Sequence, residues 1–218
     1  MNDITVFLAD DHAVVRDGLR FLLEAQHDIK VIGDASNGRE AVKRVLELCP
    51  DIVVMDIAMP ELNGIDATQK IVQSCISTQI IILSMHSTSE HISGALKAGA
   101  RGYILKESAG IEVVNAVRTV HAGHFFLSPK ISDGVIDDYV QQVKTISSDG
   151  PIASLSFRER EVLQLVVEGK SSAEIAKILS ISVKTVETYR SRMMLKLGIN
   201  DIPALVKFAI QYGLTPLE

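Results

Sequence analysis

The chain has 218 residues, of which 47% are hydrophobic, 22% charged and 5% aromatic, a composition typical of a globular protein with one large or two small domains. Its longest apolar runs fall far short of the ~20 residues of a membrane span and its first residues are polar, unlike a signal segment, so we expect a cytoplasmic protein with no membrane partner. Residues 1–150 carry 13 basic and 20 acidic side chains, whereas residues 151–218 carry 9 and 7, so only the second part offers a basic surface to phosphates.

Short apolar runs and helical periodicities alternate along the first 122 residues. Between and after the runs, apolar residues recur at helical spacing. Because the runs are apolar throughout, their side chains are buried on both faces of a sheet, which predicts a doubly wound α/β layer with five parallel strands. The five predicted strands cover residues 5–9, 29–32, 52–55, 79–83 and 102–105.

Polar side chains follow four of these five strands. Asp10 and Asp11 end the first strand, Asp56 the third, Ser84 the fourth and Lys106 the fifth. Each of them alone is typical of a turn or a helix cap. Together they favour a site, since the carboxyl ends of parallel strands meet at one edge of the sheet.

The residue types at this edge indicate phosphate chemistry. Three crowded carboxylates repel one another unless a cation is bound, and oxygen ligands alone select Mg²⁺ over zinc. Lys106 offers a charge to a phosphate oxygen, Ser84 offers a hydroxyl donor, and Asp56 can act as the nucleophile. The sequence therefore predicts phosphoryl transfer to Asp56, with Mg²⁺ as the cofactor.

The two cysteines, Cys49 and Cys75, are too few and too far apart in sequence for a disulfide framework or a zinc site. Each lies in an apolar helical context that predicts a buried thiol. The sequence assigns them no function.

Polar and helix-breaking residues mark residues 125–151 as a linker between two domains, with a short helical pattern at 135–143. Residues 152–218 then predict four short helices. Capping boxes begin the first two at Ser156 and Ser171, Ser182 caps the third, and Asp201 precedes the fourth. The turn between the second and third helices has the length of a helix-turn-helix.

The third of these helices has one apolar and one polar face. Val186, Tyr189 and Met193 share the apolar face, whereas Lys184 and Thr188 lie on the opposite one. Such a polar face suits entry into the major groove of DNA, and a helix face exposed only to water has the same pattern.

Four segments of the first domain resemble the receiver domain of bacterial two-component response regulators. They are Asp10-Asp11, residues 55–64 (MDIAMPELNG), Ser84 and residues 103–106 (YILK). The resemblance implies that Asp56 accepts a phosphoryl group from a sensor histidine kinase. It also implies that Asp10, Asp11, Asp56 and the backbone carbonyl of Ala58 hold Mg²⁺. Ser84 and Tyr103 would form a switch pair, in which the Tyr103 ring turns inward once the Ser84 hydroxyl is drawn to the phosphate.

Residues 155–163 (LSFREREVL), 174–176 (EIA), 183–189 (VKTVETY) and 196–198 (KLG) resemble the LuxR-type helix-turn-helix. With the first domain, nearly the whole chain resembles a NarL/FixJ-type response regulator, a transcription factor and not an enzyme. The implied domains are a flavodoxin-like receiver over residues 1–124 and an all-α DNA-binding domain over residues 152–218. Tyr189 departs from the family, because many relatives carry His there.

The resemblance also implies partners. They are the sensor kinase, double-stranded promoter DNA, RNA polymerase, and a second copy of the chain after phosphorylation or on DNA. Leu205, Val206, Ala209 and Ile210 of the last helix either form a pairing surface or close the core of the small domain. The candidate DNA contacts are Lys170, Lys184, Glu187, Thr188, Arg190, Ser191 and Arg192.

Two other classes of function stay open from the sequence. An Asp-dependent phosphotransferase or phosphatase would need a substrate pocket, and it would leave residues 151–218 without a role. A phosphorylation-regulated adaptor would use the helix-turn-helix only for packing.

Overall fold

The computed structural model describes residues 3–131 and 151–212. These residues form two compact units, one on each side of the gap. The helical pattern predicted at 135–143 lies outside the described residues. Within the described ranges, no helix combines the length and the apolar character that crossing a membrane requires.

The first unit alternates strands and helices, as the periodicities predict. The six strands among its described residues are all parallel, in the order β2-β1-β3-β4-β5-β6. The strands are β1 (Ile4–Ala9), β2 (Ile29–Ala35), β3 (Ile52–Asp56), β4 (Gln79–Ser84), β5 (Gly102–Leu105) and β6 (Phe126–Leu127). The helices are α1 (Ala13–Glu24), α2 (Gly38–Leu48), α3 (Gly64–Ser74), α4 (Ser89–Ala98) and α5 (Ala109–His121).

The parallel α/β class is confirmed, but the predicted count of five strands is one too few. The sixth strand, β6, has two residues and pairs with β5 at the edge of the sheet. It lies inside the segment that the polar residues mark as linker. An apolar run this short gives no periodic signal, which is why the sequence does not reveal it.

Helices cover both faces of the sheet. α1 and α5 pack together on one face, and α2, α3 and α4 lie side by side on the other. Under α1 and α5, side chains such as Leu23 and Val117 pack on strand residues such as Leu8 and Ile104. Burial on both faces explains why the middle positions of the central strands are apolar.

The strand order reverses next to β1, which lies between β2 and β3. At such a point the loops after the two neighbouring strands lead to opposite faces, and a crevice opens at the carboxyl ends of the strands. Asp10 and Asp11 follow β1 and Asp56 ends β3, so the carboxylates lie at this crevice.

Over residues 151–212 the second unit has four α-helices, α6 (Phe157–Val167), α7 (Ser172–Leu179), α8 (Val183–Leu197) and α9 (Ile202–Gln211). All four predicted helix starts are confirmed, with capping boxes at Ser156 and Ser171 and side-chain caps at Ser182 and Asp201. An aliphatic core joins the helices, and Leu163, Ile175, Val186, Met193 and Leu205 are completely buried in it.

Candidate functional site

The predicted polar residues of three strands meet at the crevice of the first unit. Ligand atoms of Asp10, Asp11, His12 and Asp56 all lie within 4.8 Å of one another. The Lys106 Nζ lies 2.7 Å from Asp56 Oδ2 and 2.8 Å from Asp10 Oδ2. Asp56 is 2% exposed and Asp10 is 1% exposed, so the lysine bridges two carboxylates that water hardly reaches.

Burial and like charge dominate the electrostatics of this cluster. Burial raises the pKa of Asp56 to about 6, the Lys106 ammonium opposes that shift, and the charges of Asp10 and Asp11 add to it. Although burial alone would lower the pKa of Lys106, the two carboxylates keep it above its usual value. One lysine faces three carboxylates, so the crevice favours a further cation.

The donor set fits a hard divalent cation. Asp10 Oδ2 lies 2.8 Å from the Lys106 Nζ, and Asp11 Oδ1 lies 2.6 Å from His12 Nδ1. Carboxylate oxygens clustered in this way are the ligands that Mg²⁺ prefers in proteins. The Ala58 backbone adjoins the cluster, since its N–H donates to Asp56 Oδ1 at 3.4 Å.

The loop after β3 is held in place by close backbone packing. A Cβ added to Gly64 would lie 1.9 Å from the Asp56 carbonyl oxygen, and the Gly64 N–H donates to the Ile57 carbonyl at 2.8 Å. Asn63 caps α3 by accepting from the Asp66 N–H at 2.9 Å. The start of α3 therefore fixes the backbone of Asp56, and only glycine fits at position 64.

Ser84 ends β4, and Tyr103 is the second residue of the neighbouring strand β5. Ser84 is buried, and its Oγ accepts from the His86 N–H at 3.0 Å. The Tyr103 hydroxyl donates to the His86 carbonyl at 2.8 Å, and its ring is completely buried. Burial raises the pKa of Tyr103 to about 12, so the phenol keeps its proton.

Three further residues, which the sequence did not indicate, support the crevice. His12 Nδ1 lies 2.6 Å from Asp11 Oδ1, and the Arg16 guanidinium donates to the Asp10 carbonyl at 2.6 Å. Ser128 is buried, and its Oγ accepts from the Leu105 N–H at 3.1 Å, next to Lys106. Adjacency to the aspartates could have indicated His12, whereas no sequence signal links Ser128 to β5.

Metal-free stability offers a test of the charge crowding. Because the folded-state pKa of Asp56 is raised to about 6, the favourable contribution of this group is present below its unfolded pKa and is lost as the pH rises through about 6. We therefore expect Asp56→Asn to stabilise the first unit by about 1–3 kcal/mol near neutral pH without Mg²⁺.

Urea-dependent hydrogen exchange of β3 peptides measures this gain in stability, because it reports on the first unit alone. It is carried out near neutral pH and again below the unfolded-state pKa of Asp56. The gain should vanish at the lower pH, where the Asp56 carboxyl is already protonated. The control is Asp17→Asn, which removes an exposed carboxylate from α1. An equal gain at both pH values would show that burial of charge is not its cause.

The candidate DNA-reading surface lies on α8 of the second unit. Lys184, Thr188, Ser191 and Arg192 are exposed on it, and Lys170 is exposed just before α7. The Thr188 hydroxyl donates to the Lys184 carbonyl at 2.9 Å. The structure thus brings a lysine and an oriented hydroxyl side by side on one turn of α8.

Two of the candidate DNA contacts also bind α7. The Arg190 guanidinium is 28% exposed and donates to the Ser172 hydroxyl at 2.9 Å, and the Ser172 hydroxyl donates to the Glu187 carboxylate. Arg190 and Glu187 therefore hold the two helices of the helix-turn-helix together. On α9, Leu205 and Ala209 belong to the core, whereas Val206 and Ile210 are half-buried.

Comparisons with known proteins agree with both units. The family model of the response regulator receiver domain matches residues 6–118, and that of the luxR family of bacterial regulatory proteins matches residues 153–209. The oxygen regulatory protein NreC of Staphylococcus epidermidis is 40% identical over 210 residues, which cover 94% of this chain and 96% of NreC. The protein of the same name from Staphylococcus carnosus is 39% identical over 209 residues, with the same coverage.

Solved structures match over nearly the full length as well. The RcsB response regulator of Salmonella typhimurium aligns with a TM-score of 0.66 and 26% identity, over 97% of this chain and 99% of that one. RcsB in a complex with DNA aligns with a TM-score of 0.60 and 27% identity, over 95% of this chain and 98% of that one. The luxR match accounts for the residues that a phosphatase would leave without a role.

Proposed function

Because the chain belongs to the response regulators that join a receiver domain to a LuxR-type DNA-binding domain, we propose that a phosphoryl group on Asp56 controls its binding to promoter DNA. The observation that carries this proposal is the buried Asp56 carboxylate, bridged to Asp10 by Lys106. A nucleophile, a cationic side chain and a cluster of carboxylate oxygens within one crevice are the parts that phosphoryl transfer to an aspartate requires.

A sensor histidine kinase is the proposed phosphodonor. An Asp56 oxygen attacks the phosphorus atom, and the kinase histidine leaves with the electron pair of the broken P–N bond. Asp10, Asp11, Asp56 and the Ala58 carbonyl would hold Mg²⁺, which when bound offsets charge on the phosphoryl oxygens. Lys106 reaches the new phosphoryl group with the ammonium that now contacts Asp56, and Ser84 donates its hydroxyl to another phosphoryl oxygen.

The response to phosphate is proposed to pass through Ser84 and Tyr103. A hydroxyl drawn toward the phosphoryl oxygen no longer accepts the His86 N–H bond seen here. The Tyr103 hydroxyl is bound to the same residue through its carbonyl, so the backbone at His86 and the ring at Tyr103 respond together. Phosphorylation of Asp56 would in this way change the relative stability of two packing arrangements of the surface formed by α4 and β5.

DNA recognition is proposed to use the exposed face of α8 in the major groove. Lys184, Thr188, Ser191 and Arg192 are the proposed contacts there, with Lys170 on the neighbouring backbone. A four-helix unit offers few phosphate contacts, so one copy binds weakly and two copies on an inverted site bind more tightly. Val206 and Ile210 on α9 are the proposed pairing surface, and RNA polymerase is a further proposed partner.

A binding titration tests the proposed control. The full chain, treated with a small phosphodonor and Mg²⁺, should bind double-stranded fragments enriched from a random pool about tenfold more tightly than the untreated chain. Asp56→Asn should show no gain from the same treatment. Sedimentation should show dimers that form at lower concentration after treatment.

Equal affinity of the treated and untreated chains across a concentration series, with no change in sedimentation, would contradict the proposed control. A gain that persists in Asp56→Asn would place the phosphate elsewhere on the chain. Salt must be held constant throughout, because phosphate contacts make DNA affinity depend steeply on it.

A further inference from the structure

The two cysteines of the chain meet in the first unit. Cys49 follows α2 and Cys75 follows α3, and their Sγ atoms lie 3.1 Å apart. Cys49 is exposed and Cys75 is buried, so the prediction of two buried thiols is wrong for Cys49. The sequence does not reveal this contact, because the two cysteines are 26 positions apart. They meet because α2 and α3 pack side by side and their carboxyl ends lie close together.

Hydrogen bonds hold the two loops that carry these thiols together. The Thr78 hydroxyl donates to the Pro50 carbonyl at 2.7 Å, and the Gln79 N–H donates to the Asp51 carbonyl at 2.8 Å. Within the loop after α3, the Thr78 N–H donates to the Cys75 carbonyl at 3.3 Å. Each loop also leads directly into one of the paired strands β3 and β4, so the packed sheet sets the approach of the two sulfurs.

We propose that Cys49 and Cys75 form a redox site that exchanges with low-molecular-weight disulfides and closes a reversible intramolecular disulfide. The observed separation of 3.1 Å exceeds a disulfide bond of ~2.05 Å by about 1 Å. Closing the bond requires the two sulfur atoms to approach each other by that distance. The site lies at the start of β3, at the opposite end of that strand from Asp56.

The exposed thiol reacts first. The Cys49 thiolate attacks one sulfur of the small disulfide, the old S–S bond breaks, and one small thiolate leaves and takes up the proton that Cys49 released. The Cys75 thiolate then attacks Cys49 Sγ, and the second small thiolate leaves and is protonated in turn. Two protein thiols are oxidised and one small disulfide is reduced to two thiols, so atoms and electrons balance.

The surroundings set the pace of this exchange. Both thiols follow helix C-termini, where the partial negative charge disfavours thiolates. The hydrogen bond with Cys75 further raises the pKa of Cys49. The pair therefore exchanges slowly at neutral pH, which suits a site that follows the thiol–disulfide balance of its surroundings and not a fast peroxide sensor.

The test compares the native and the unfolded chain. The full chain is equilibrated with mixtures of reduced and oxidised glutathione, in buffer and in concentrated urea, then alkylated and weighed intact by mass spectrometry. Since the chain has two cysteines in all, a loss of two hydrogen masses in a monomer identifies this bond. We expect the equilibrium constant for closure to be about tenfold or more larger in the native chain than in urea.

Single variants identify the roles of the two thiols. Cys75→Ser should stop at a glutathione adduct on the exposed Cys49, and Cys49→Ser should react only slowly at the buried Cys75. The oxidised wild-type chain should melt about 5–10 °C above the reduced one in its first unit. This readout does not depend on phosphorylation, so it stands apart from the function proposed above.

A closure constant in the native chain equal to or below that in urea would overturn the proposal, since the fold would then not favour the bond. Disulfide-linked dimers in place of the closed monomer would overturn it as well. Closure in the native chain that is favoured over urea, with a raised melting temperature, would establish the site.

Discussion

Replacing Asp56 with asparagine is expected to abolish labelling of the chain by a small phosphodonor in the presence of Mg²⁺. The amide oxygen is a poor nucleophile, whereas the side chain keeps its size and Lys106 keeps its ion pair with Asp10 at 2.8 Å. Loss of labelling therefore reports on the missing carboxylate and not on a lost fold. The measurement is the amount of acid-stable, base-labile phosphate per chain.

Matched variants make this result specific. Asp17→Asn removes an exposed aspartate from α1 and should label like the wild-type chain. Lys106→Ala and Asp11→Ala should each lower labelling without abolishing it. Lys106→Ala removes a phosphate contact, and Asp11→Ala weakens the metal site. Labelling of Asp56→Asn at the wild-type level would refute Asp56 as the acceptor, and mapping the labelled peptide would then identify the true one.

The composition of this crevice could be predicted from the sequence because the sheet is parallel. Parallel strands direct their carboxyl ends to one edge, so Asp10, Asp56 and Lys106 were expected to converge without any knowledge of their side-chain geometry. The observed contacts of Lys106 with both carboxylates agree with that expectation. This local rule suffices here because each residue lies at or directly after the carboxyl end of a strand.

Contacts that depend on packing between distant elements could not be predicted in this way. Ser128 supports β5 through a two-residue strand at the sheet edge, and no periodicity marks so short an element. The contact of Cys49 with Cys75 depends on where α2 and α3 end in space. Strand register and helix packing set these distances, and a local sequence pattern determines neither of them.

The second unit shows the same division between local and tertiary information. Its helix starts were predicted because Ser156 and Ser171 form capping boxes with residues three positions later, which is a purely local interaction. The pairing of Arg190 with Ser172 was not predicted. Helical periodicity separates an inner from an outer face, but it does not tell which outer side chains bind a neighbouring helix.

Lys184→Ala is expected to weaken DNA binding of the full chain about tenfold at moderate salt. The side chain is exposed near the start of α8, where the recognition helix of a helix-turn-helix enters the groove. If Lys184 contacts a phosphate, the dependence of log affinity on log salt should become shallower by about 0.9, since one counterion fewer is released. If it reads a base edge, the preferred sequence should change instead. Titrations at several salt concentrations, with enrichment from a random pool, separate these two outcomes.

The matched control is Lys207→Ala, which removes an exposed lysine from α9 and should leave affinity and salt dependence unchanged. Thr188→Ala should mainly alter sequence preference, because its hydroxyl is oriented by the Lys184 carbonyl at 2.9 Å and carries no charge. Wild-type affinity, salt dependence and sequence preference in both Lys184→Ala and Thr188→Ala would show that this face of α8 does not read DNA. A loss shared by Lys207→Ala would instead indicate that affinity follows the overall charge of the unit.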